Sequence, residues 1–326
     1  MSIKPYLSVV IPVFNREREI RRALESCLAQ RGADFEVVVV DDASRDRSAQ
    51  VVEEYAGRGV RLLRQPVNLG SSPARACGMR AAVGDWIVRL DSDDELLPGA
   101  LATAQRYALE MPAGVGRIGL MYRYTDGRVS PFPPPGGEIL SYQGFVEWLE
   151  RSETYDALQL YRRTAIDATP IPPGRLMEML HNLDFAQRYD TVWLGEPGVL
   201  YHVDAVERQS KALPGSEEAR QTSEEIRLIV ARHGETLQRF APRFYRAQLR
   251  RLSVSMALAG DRRGALHQGF KHVKSSPWSL LNYVALICIA LGRRPLAMAL
   301  QLKWQLVEWR RILLTKPSRA AHPERS

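Results

Sequence analysis

The 326 residues are 45% hydrophobic and 25% charged, a globular mixture that excludes a fibrous, collagen-like or wholly disordered chain. The length suits one large domain or two modest ones. Cys27, Cys77 and Cys288 lie far apart with no CxxC or nearby histidine pair, which excludes a disulfide scaffold and a thiolate zinc site and fits a reducing compartment.

The net charge of +8 is unevenly spread. From Arg227 onward 19 Lys+Arg face 4 Asp+Glu, a balance of +15, while residues 1–226 come to −7. Such asymmetry points to a polyanionic neighbour, either nucleic acid or an anionic membrane surface. Met1 runs straight into a strand-like segment without a leader pattern, so a cytoplasmic protein is expected, with peripheral contact at the inner face of the membrane.

Residues 7–14, LSVVIPVF, read as a buried parallel strand that reaches a turn at Pro12. Asn15 is expected to cap a helix whose apolar face is Ile20, Leu24, Cys27 and Leu28. Residues 35–42, FEVVVVDD, form a second buried strand ending in two carboxylates. A helix over about 47–56, a short strand near 60–63 and a helix from Ser72 follow. Residues 86–90, WIVRL, form the next strand and run into Asp91-Ser92-Asp93-Asp94. This alternation is the pattern of a doubly wound α/β domain, in which ligands bind at the carboxyl ends of the strands. Here two of those ends carry clustered carboxylates.

Beyond residue 112 the pattern loosens. SPFPPPGGE (130–138) reads as a loop or hinge. Strands are expected at 158–163 and 192–202 around a helix near 176–189, and the polar stretch 207–219 ends the first domain. The rest reads as helical to about 315. Gly114-Val115-Gly116-Arg117-Ile118-Gly119 is a literal GxGxxG, but a helical segment precedes it and a β-rich stretch follows, so it is read as a turn. WSLLNYVALICIALG (278–292) is short of the ~20 apolar residues that span a bilayer and is read as a buried helix.

IPVFN (11–15), VVVVDDAS (37–44), NLGSSPAR (68–75) and GDWIVRLDSDD (84–94), in this order and spacing, resemble the family 2 inverting glycosyltransferases. The strong match covers about residues 6–100 and a weaker one reaches about 203. The resemblance implies a GT-A fold, a Rossmann-like mixed sheet flanked by helices, over residues 1–215; the basic helical region at 216–326 lies outside it and is read from its own periodic, Arg-rich segments. It implies a nucleotide-diphosphate sugar as donor, most simply a UDP-sugar, and a glycan or lipid-linked hydroxyl as acceptor.

Residue by residue, the resemblance places Pro12, Val13 and Asn15 beneath the base and ribose, Asp42 on the base, and Arg75 among the basic groups of the nucleotide site. Asp93 becomes the direct ligand of Mg²⁺ or Mn²⁺, and Asp91 contacts the ribose or the metal. The chemistry matches the residue types: a hard cation on carboxylate oxygen neutralises a departing diphosphate, and a guanidinium suits phosphate. Arg75 could equally form an ion pair with one of the aspartates.

The catalytic base is where this sequence departs from the family. Asp184-Phe185-Ala186-Gln187-Arg188 fits the stretch that follows the family's Glu-Asp pair, so the pair itself falls on His181-Asn182. Asn cannot take a proton. Glu178 lies one helical turn before Asn182 on the same face, and Asp184 becomes the base if the alignment slips by two, unless it merely pairs with Arg188. These two stand level, with the adjacent His181 behind them. The segment ALAGDRRGALHQGFKHVKSSPWSLLNYVALICIALG (257–292) reads as a helical hairpin with a Gly-Asp turn, similar to one tetratricopeptide-type unit.

Three other readings compete. A nucleotidyltransferase needs a Gly-rich basic phosphate loop, which IPVFNRERE lacks. A membrane-associated protein that binds a nucleotide sugar without turning it over would keep the same motifs. Nucleic-acid binding lacks any signature in the basic region.

Overall fold

The computed structural model describes residues 4–125, 127, 129, 137–152, 157–174, 177–202, 215–275, 280–292 and 294–302. Four parallel strands form the first half of the sheet: β1 (Leu7–Val13), β2 (Phe35–Asp41), β3 (Val60–Arg64) and β4 (Trp86–Arg89), ordered β3-β2-β1-β4. Helices α1 (Glu19–Leu28), α2 (Ser48–Glu53) and α3 (Ser71–Ala81) connect them. Val9, Val10, Ile11 and Val37 to Val40 are buried on both sides, which is why β1 and β2 read as continuous apolar runs. Helix α3 lies close on the sheet because Gly78 has no side chain; a Cβ there would sit 2.4 Å from Val10 Cγ1.

The second half is antiparallel and mixed, which departs from a doubly wound sheet. After β5 (Glu95–Leu96) and α4 (Ala100–Glu110) come β6 (Val115–Tyr124), β7 (Ile139–Leu140), α5 (Tyr142–Arg151), β8 (Ala157–Arg162), α6 (Arg163–Ala168), α7 (Glu178–Ala186) and β9 (Asp190–Tyr201). β8 pairs antiparallel to both β4 and β6, and the order continues β4-β8-β6-β9-β5. This is the mixed, curled sheet of a GT-A fold.

β1 and β4 part at their carboxyl ends. Trp86 N donates to Tyr6 O, and Leu90 N to Val10 O at 3.1 Å, so the even-numbered residues of β1 face β4. Pro12 is the next even residue and has no N–H to donate. The β1–β4 register ends at Val10↔Arg89, and Pro12 costs that ladder nothing. Because β2 and β3 lie to one side of β1 and β4 to the other, this fork is the switch point where α/β sheets bind ligands.

Two readings within the sheet domain need correction. The GxGxxG is not a turn, since Val115–Gly119 lies inside β6. Its glycines admit aromatic rings: a Cβ on Gly119 would lie 2.0 Å from the Trp193 ring, and one on Gly116 2.6 Å from Tyr189. Asn15 does not cap a helix; α1 starts at Glu19. The proline-rich stretch 130–138 and the polar stretch 207–219 fall mostly outside the described residues, as does everything after 302.

Helices α8 (Ser216–Phe240), α9 (Pro242–Leu258), α10 (Arg262–Ser275) and α11 (Leu280–Leu291) follow. Ile229, Leu237 and Ala241 share one apolar cluster with Phe145, Trp148, Leu180 and Leu183, so α8 packs into the sheet layer's own helices. The expected hairpin joins α9 to α10, turning at Gly260 with φ +98°. The expectation of a buried helix at 278–292 is not met. In α11 only Asn282 and Ile289 are buried, while Leu280 (76%), Leu281, Ile287 and Leu291 stand exposed. No helix among the described residues is long and apolar enough to cross a membrane.

Candidate active site

A cavity of about 230 Å³ opens at the β1–β4 fork, lined among others by Pro12, Val13, Arg16, Asp42, Arg75, Asp91, Asp93 and Tyr201. Sheet order brings most of these together at the carboxyl ends of β1, β2 and β4, while Arg75 comes from α3 and Tyr201 from the end of β9. Asp42 is buried, with Oδ1 accepting from Leu69 N (2.8 Å) and Oδ2 from Gly70 N (2.7 Å). Those amides lead into α3, so the carboxylate also fixes where that helix begins. Asp91 and Asp94 close a turn through Asp94 N→Asp91 O (3.1 Å), and Arg22 Nη2 donates to the Asp93 carbonyl (2.7 Å).

Asn15 is not among the lining residues. Its φ is 51°, its N donates to Ser44 Oγ (3.0 Å), and its Oδ1 accepts from Arg45 N (2.8 Å). It ties the loop after β1 to the loop after β2. Ala43, with φ 59°, is the other non-glycine residue at positive φ among the described residues. Neither lines the cavity, but each is a chain neighbour of residues that do, Asn15 of Phe14 and Arg16 and Ala43 of Asp42, and backbone strain clusters near functional sites.

Arg75 links the first cavity to a second of about 280 Å³, which is lined among others by Arg89, Tyr122, Gln159, Glu178, Asn182, Glu225 and Arg251. Arg75 Nη2 donates to Asp91 Oδ1 (2.6 Å) and Nη1 to Glu178 Oε2 (3.4 Å). It thus makes the ion pair the sequence allowed while remaining on the cavity wall. Arg89 Nη2 binds Glu178 Oε1. Desolvation alone would raise the Glu178 pKa, but the Arg89 and Arg75 charges outweigh it and hold it at about 2.

The remaining base candidates are placed differently. Asp184 points to α8, with Oδ2 accepting from Arg232 Nη1 (2.6 Å) and Oδ1 2.9 Å from His233 Nε2. It lines neither cavity and does not pair with Arg188, which donates to Ala168 O. His181 is buried, and neither ring nitrogen has a hydrogen-bond partner. Burial, together with the Arg89 and Arg117 charges, pushes its imidazole down to about 3. Asn182 faces the second cavity with Oδ1 held by Arg117 Nη1 (2.8 Å) and the Tyr161 hydroxyl (3.2 Å).

Sequence reasoning missed two groups. Arg117 is fully buried on β6 within reach of the Phe145, Phe185 and Trp193 rings; it lay inside the discarded GxGxxG. Glu225 sits on the buried face of α8, and its Oε1 accepts from Met179 N (2.9 Å) and Leu180 N (3.3 Å) at the start of α7. A carboxylate interrupting an apolar helical stripe was its only signal.

The carboxylates fit a metal in one mode. Among the described residues no group of three or more His, Cys, Asp or Glu is placed to hold an ion, which excludes an all-protein cage there. Mg²⁺ and Mn²⁺ take one or two carboxylates plus substrate phosphates and water. Asp91, one oxygen of which goes to Arg75, and Asp93 on the same cavity wall meet that requirement.

The profile of Glycosyl transferase family 2 matches residues 8–168. The uncharacterized glycosyltransferase EpsJ of Bacillus subtilis is 37% identical over 167 residues, 49% of this chain and 48% of that protein. A GalNAc(5)-diNAcBac-PP-undecaprenol beta-1,3-glucosyltransferase of Campylobacter jejuni is 37% identical over 109 residues, 32% of this chain and 35% of that one. The chain spans less than half the length of these two curated relatives. In fold it resembles residues 1–349 of TarS from S. aureus, solved with UDP-GlcNAc, at TM-score 0.58 and 19% identity over 87% of this chain and 79% of that one. With the strand-end carboxylates, the mixed sheet and the family profile in agreement, residues 8–168 match glycosyl transferase family 2, on a GT-A fold.

Proposed function

We propose that the protein transfers a sugar from a nucleoside-diphosphate donor to a hydroxyl of a glycan or lipid-linked acceptor, inverting the anomeric carbon. The observation that carries this reading is the gathering of Asp42, Asp91 and Asp93 around one cavity at the sheet's fork, joined through Arg75 to a second cavity. The donor's base and ribose lie over Pro12 and Val13 against Asp42, a carboxylate able to accept from a ring N–H. The UDP-GlcNAc held by TarS supports a UDP-sugar. Asp93 and Asp91 would hold Mg²⁺ or Mn²⁺, which supplies Lewis-acid neutralisation of the diphosphate leaving group. Arg75 adds fixed positive charge beside it. The second cavity receives the acceptor.

A panel of UDP- and GDP-sugars tests this directly, with nucleoside diphosphate release measured with and without Mg²⁺ or Mn²⁺. Metal-dependent release from one donor is expected. Release from none overturns the reading in favour of a protein that binds without turnover, and full turnover in excess chelator overturns the metal's part.

A membrane-facing acceptor is supported by a second observation. The exposed Leu280, Leu281, Ile287 and Leu291 of α11 adjoin α10, which carries Arg262, Arg263, Lys271 and Lys274. An anionic lipid surface would gain roughly 1 kcal/mol per well-placed basic residue. Flotation with phosphatidylglycerol vesicles at low salt, reversed at high salt, is expected. No binding at low salt contradicts it.

A further inference from the structure

Three carboxylates line the second cavity among the described residues: Asp91, Glu178 and Glu225. Asp91 is engaged by Arg75 and belongs to the donor side. Glu178 gives one oxygen to Arg89 and the other to Arg75, so a hydroxyl seeking a proton acceptor meets a carboxylate already saturated with cationic donors. Glu225 is arranged differently. Its Oε1 takes both backbone N–H bonds of the α7 start, and no described residue donates to its Oε2. Only 4% of the residue is exposed, and it lines the cavity.

We propose that Glu225, supplied by the helical region outside residues 8–168, is the carboxylate that takes the acceptor's proton. This rests on the sugar-transfer reading above. The acceptor oxygen attacks the sugar's anomeric carbon, and the bond from that carbon to the diphosphate oxygen breaks, its electron pair leaving with the diphosphate. The hydroxyl proton passes to Glu225 Oε2 and from there to solvent.

The environment suits the task. Burial raises the pKa of the Glu225 carboxyl, against the opposing pull of the Leu180 and Met179 amides and of Arg251. A more basic carboxylate is the better proton acceptor near neutral pH. The charged groups that act on it are Glu178 of α7 and Arg251 of α9. Its bonds to α7 also fix the acid in place, since that helix has no side-chain cap of its own at Met177. Asn182, which stands where the family carries its base, is then free to hold the acceptor by hydrogen bonds while Arg117 fixes its orientation.

The experiment uses the full chain with UDP-GlcNAc, UDP-glucose and GDP-mannose as donors and water as acceptor, reading nucleoside diphosphate release. Glu225→Gln keeps a carbonyl oxygen for the α7 amides but cannot take a proton. It is expected to lower kcat by roughly 100-fold or more, with donor KM, UDP affinity and Tm unchanged. Glu225→Ala is expected to regain turnover with added formate, in proportion to its concentration. A Glu225→Gln variant within roughly 3-fold of wild-type kcat overturns the assignment and leaves the transferase reading standing. Loss of turnover with a lowered Tm and no formate rescue also overturns it, leaving a helix cap. A wild-type chain that releases nucleoside diphosphate from no donor overturns the transferase reading and this proposal together.

Discussion

In the half built from β1 to β4, the carboxylates that face the first cavity sit just past strand ends on main chain held by hydrogen bonds, although Asp91 also gives Oδ1 to Arg75. Asp42 is held by two backbone amides, and Asp91 and Asp94 by a turn. Around the second cavity the charged groups come from α3, β4, α7, α8 and α9, and except for Glu225, which two α7 amides hold, side chains fix one another: Arg89 and Arg75 on Glu178, Arg117 on Asn182. Main-chain fixation survives most changes of neighbouring side chains, whereas a mutual side-chain network moves when any member changes. In the proposed reading the first arrangement binds the donor and the second serves the acceptor.

The largest effect should fall on the donor side. Asp93→Ala is expected to cost about 4 kcal/mol of transition-state stabilisation, on the order of 1,000-fold in kcat/KM, with thermal melting unchanged; activity assays with a calorimetric scan check it. Asp42→Ala sharpens the contrast, because it removes binding made equally in ground and transition states. It should raise donor KM by roughly 10- to 100-fold, the worth of a charged hydrogen bond, and leave kcat nearly intact. A kcat loss equal to the KM rise would move Asp42 into the chemistry.

The acceptor side should show itself in pH dependence. His181 has a folded pKa of about 3 against about 6.5 unfolded, so the unfolded chain takes the proton first as pH falls. Stability is then lost from pH 6.5 downward, at about 1.4 kcal/mol per unit, until about pH 3. Denaturation at pH 7 and pH 4.5 should show wild type losing roughly 2–3 kcal/mol more than His181→Asn. His233 and His272 shift in the same direction in both proteins and cancel. The smallest effect tests packing between β6 and β9: Gly119→Ala drives a methyl into the Trp193 ring and should cost about 1–3 kcal/mol of stability.

The first half of the fold was legible because each of its strands is a local apolar run ending in punctuation, and because two of them, β2 and β4, run into clustered carboxylates. Asp42, Arg75, Asp91 and Asp93 all line one cavity. The second half was not legible for physical reasons. β8 reverses direction, so its neighbours are set by long-range pairing that no local period encodes. Asp184 and Glu178 differ by six positions on one helix, and only the packing of α8 decides which of them meets Arg232 and which faces the cavity. Glu225 was hidden because a buried acid in a helix has no meaning until its neighbours are known. The apolar run at 280–291 misled in the other direction, since hydrophobicity alone does not say what covers it.

The most direct test of this division is nucleotide affinity measured apart from turnover. UDP titrated calorimetrically with Mg²⁺ into wild type, Asp42→Ala and Glu225→Gln should show binding weakened in Asp42→Ala and unchanged in Glu225→Gln, although Glu225→Gln is the variant that loses kcat. Equal loss of UDP binding in both variants would contradict the account.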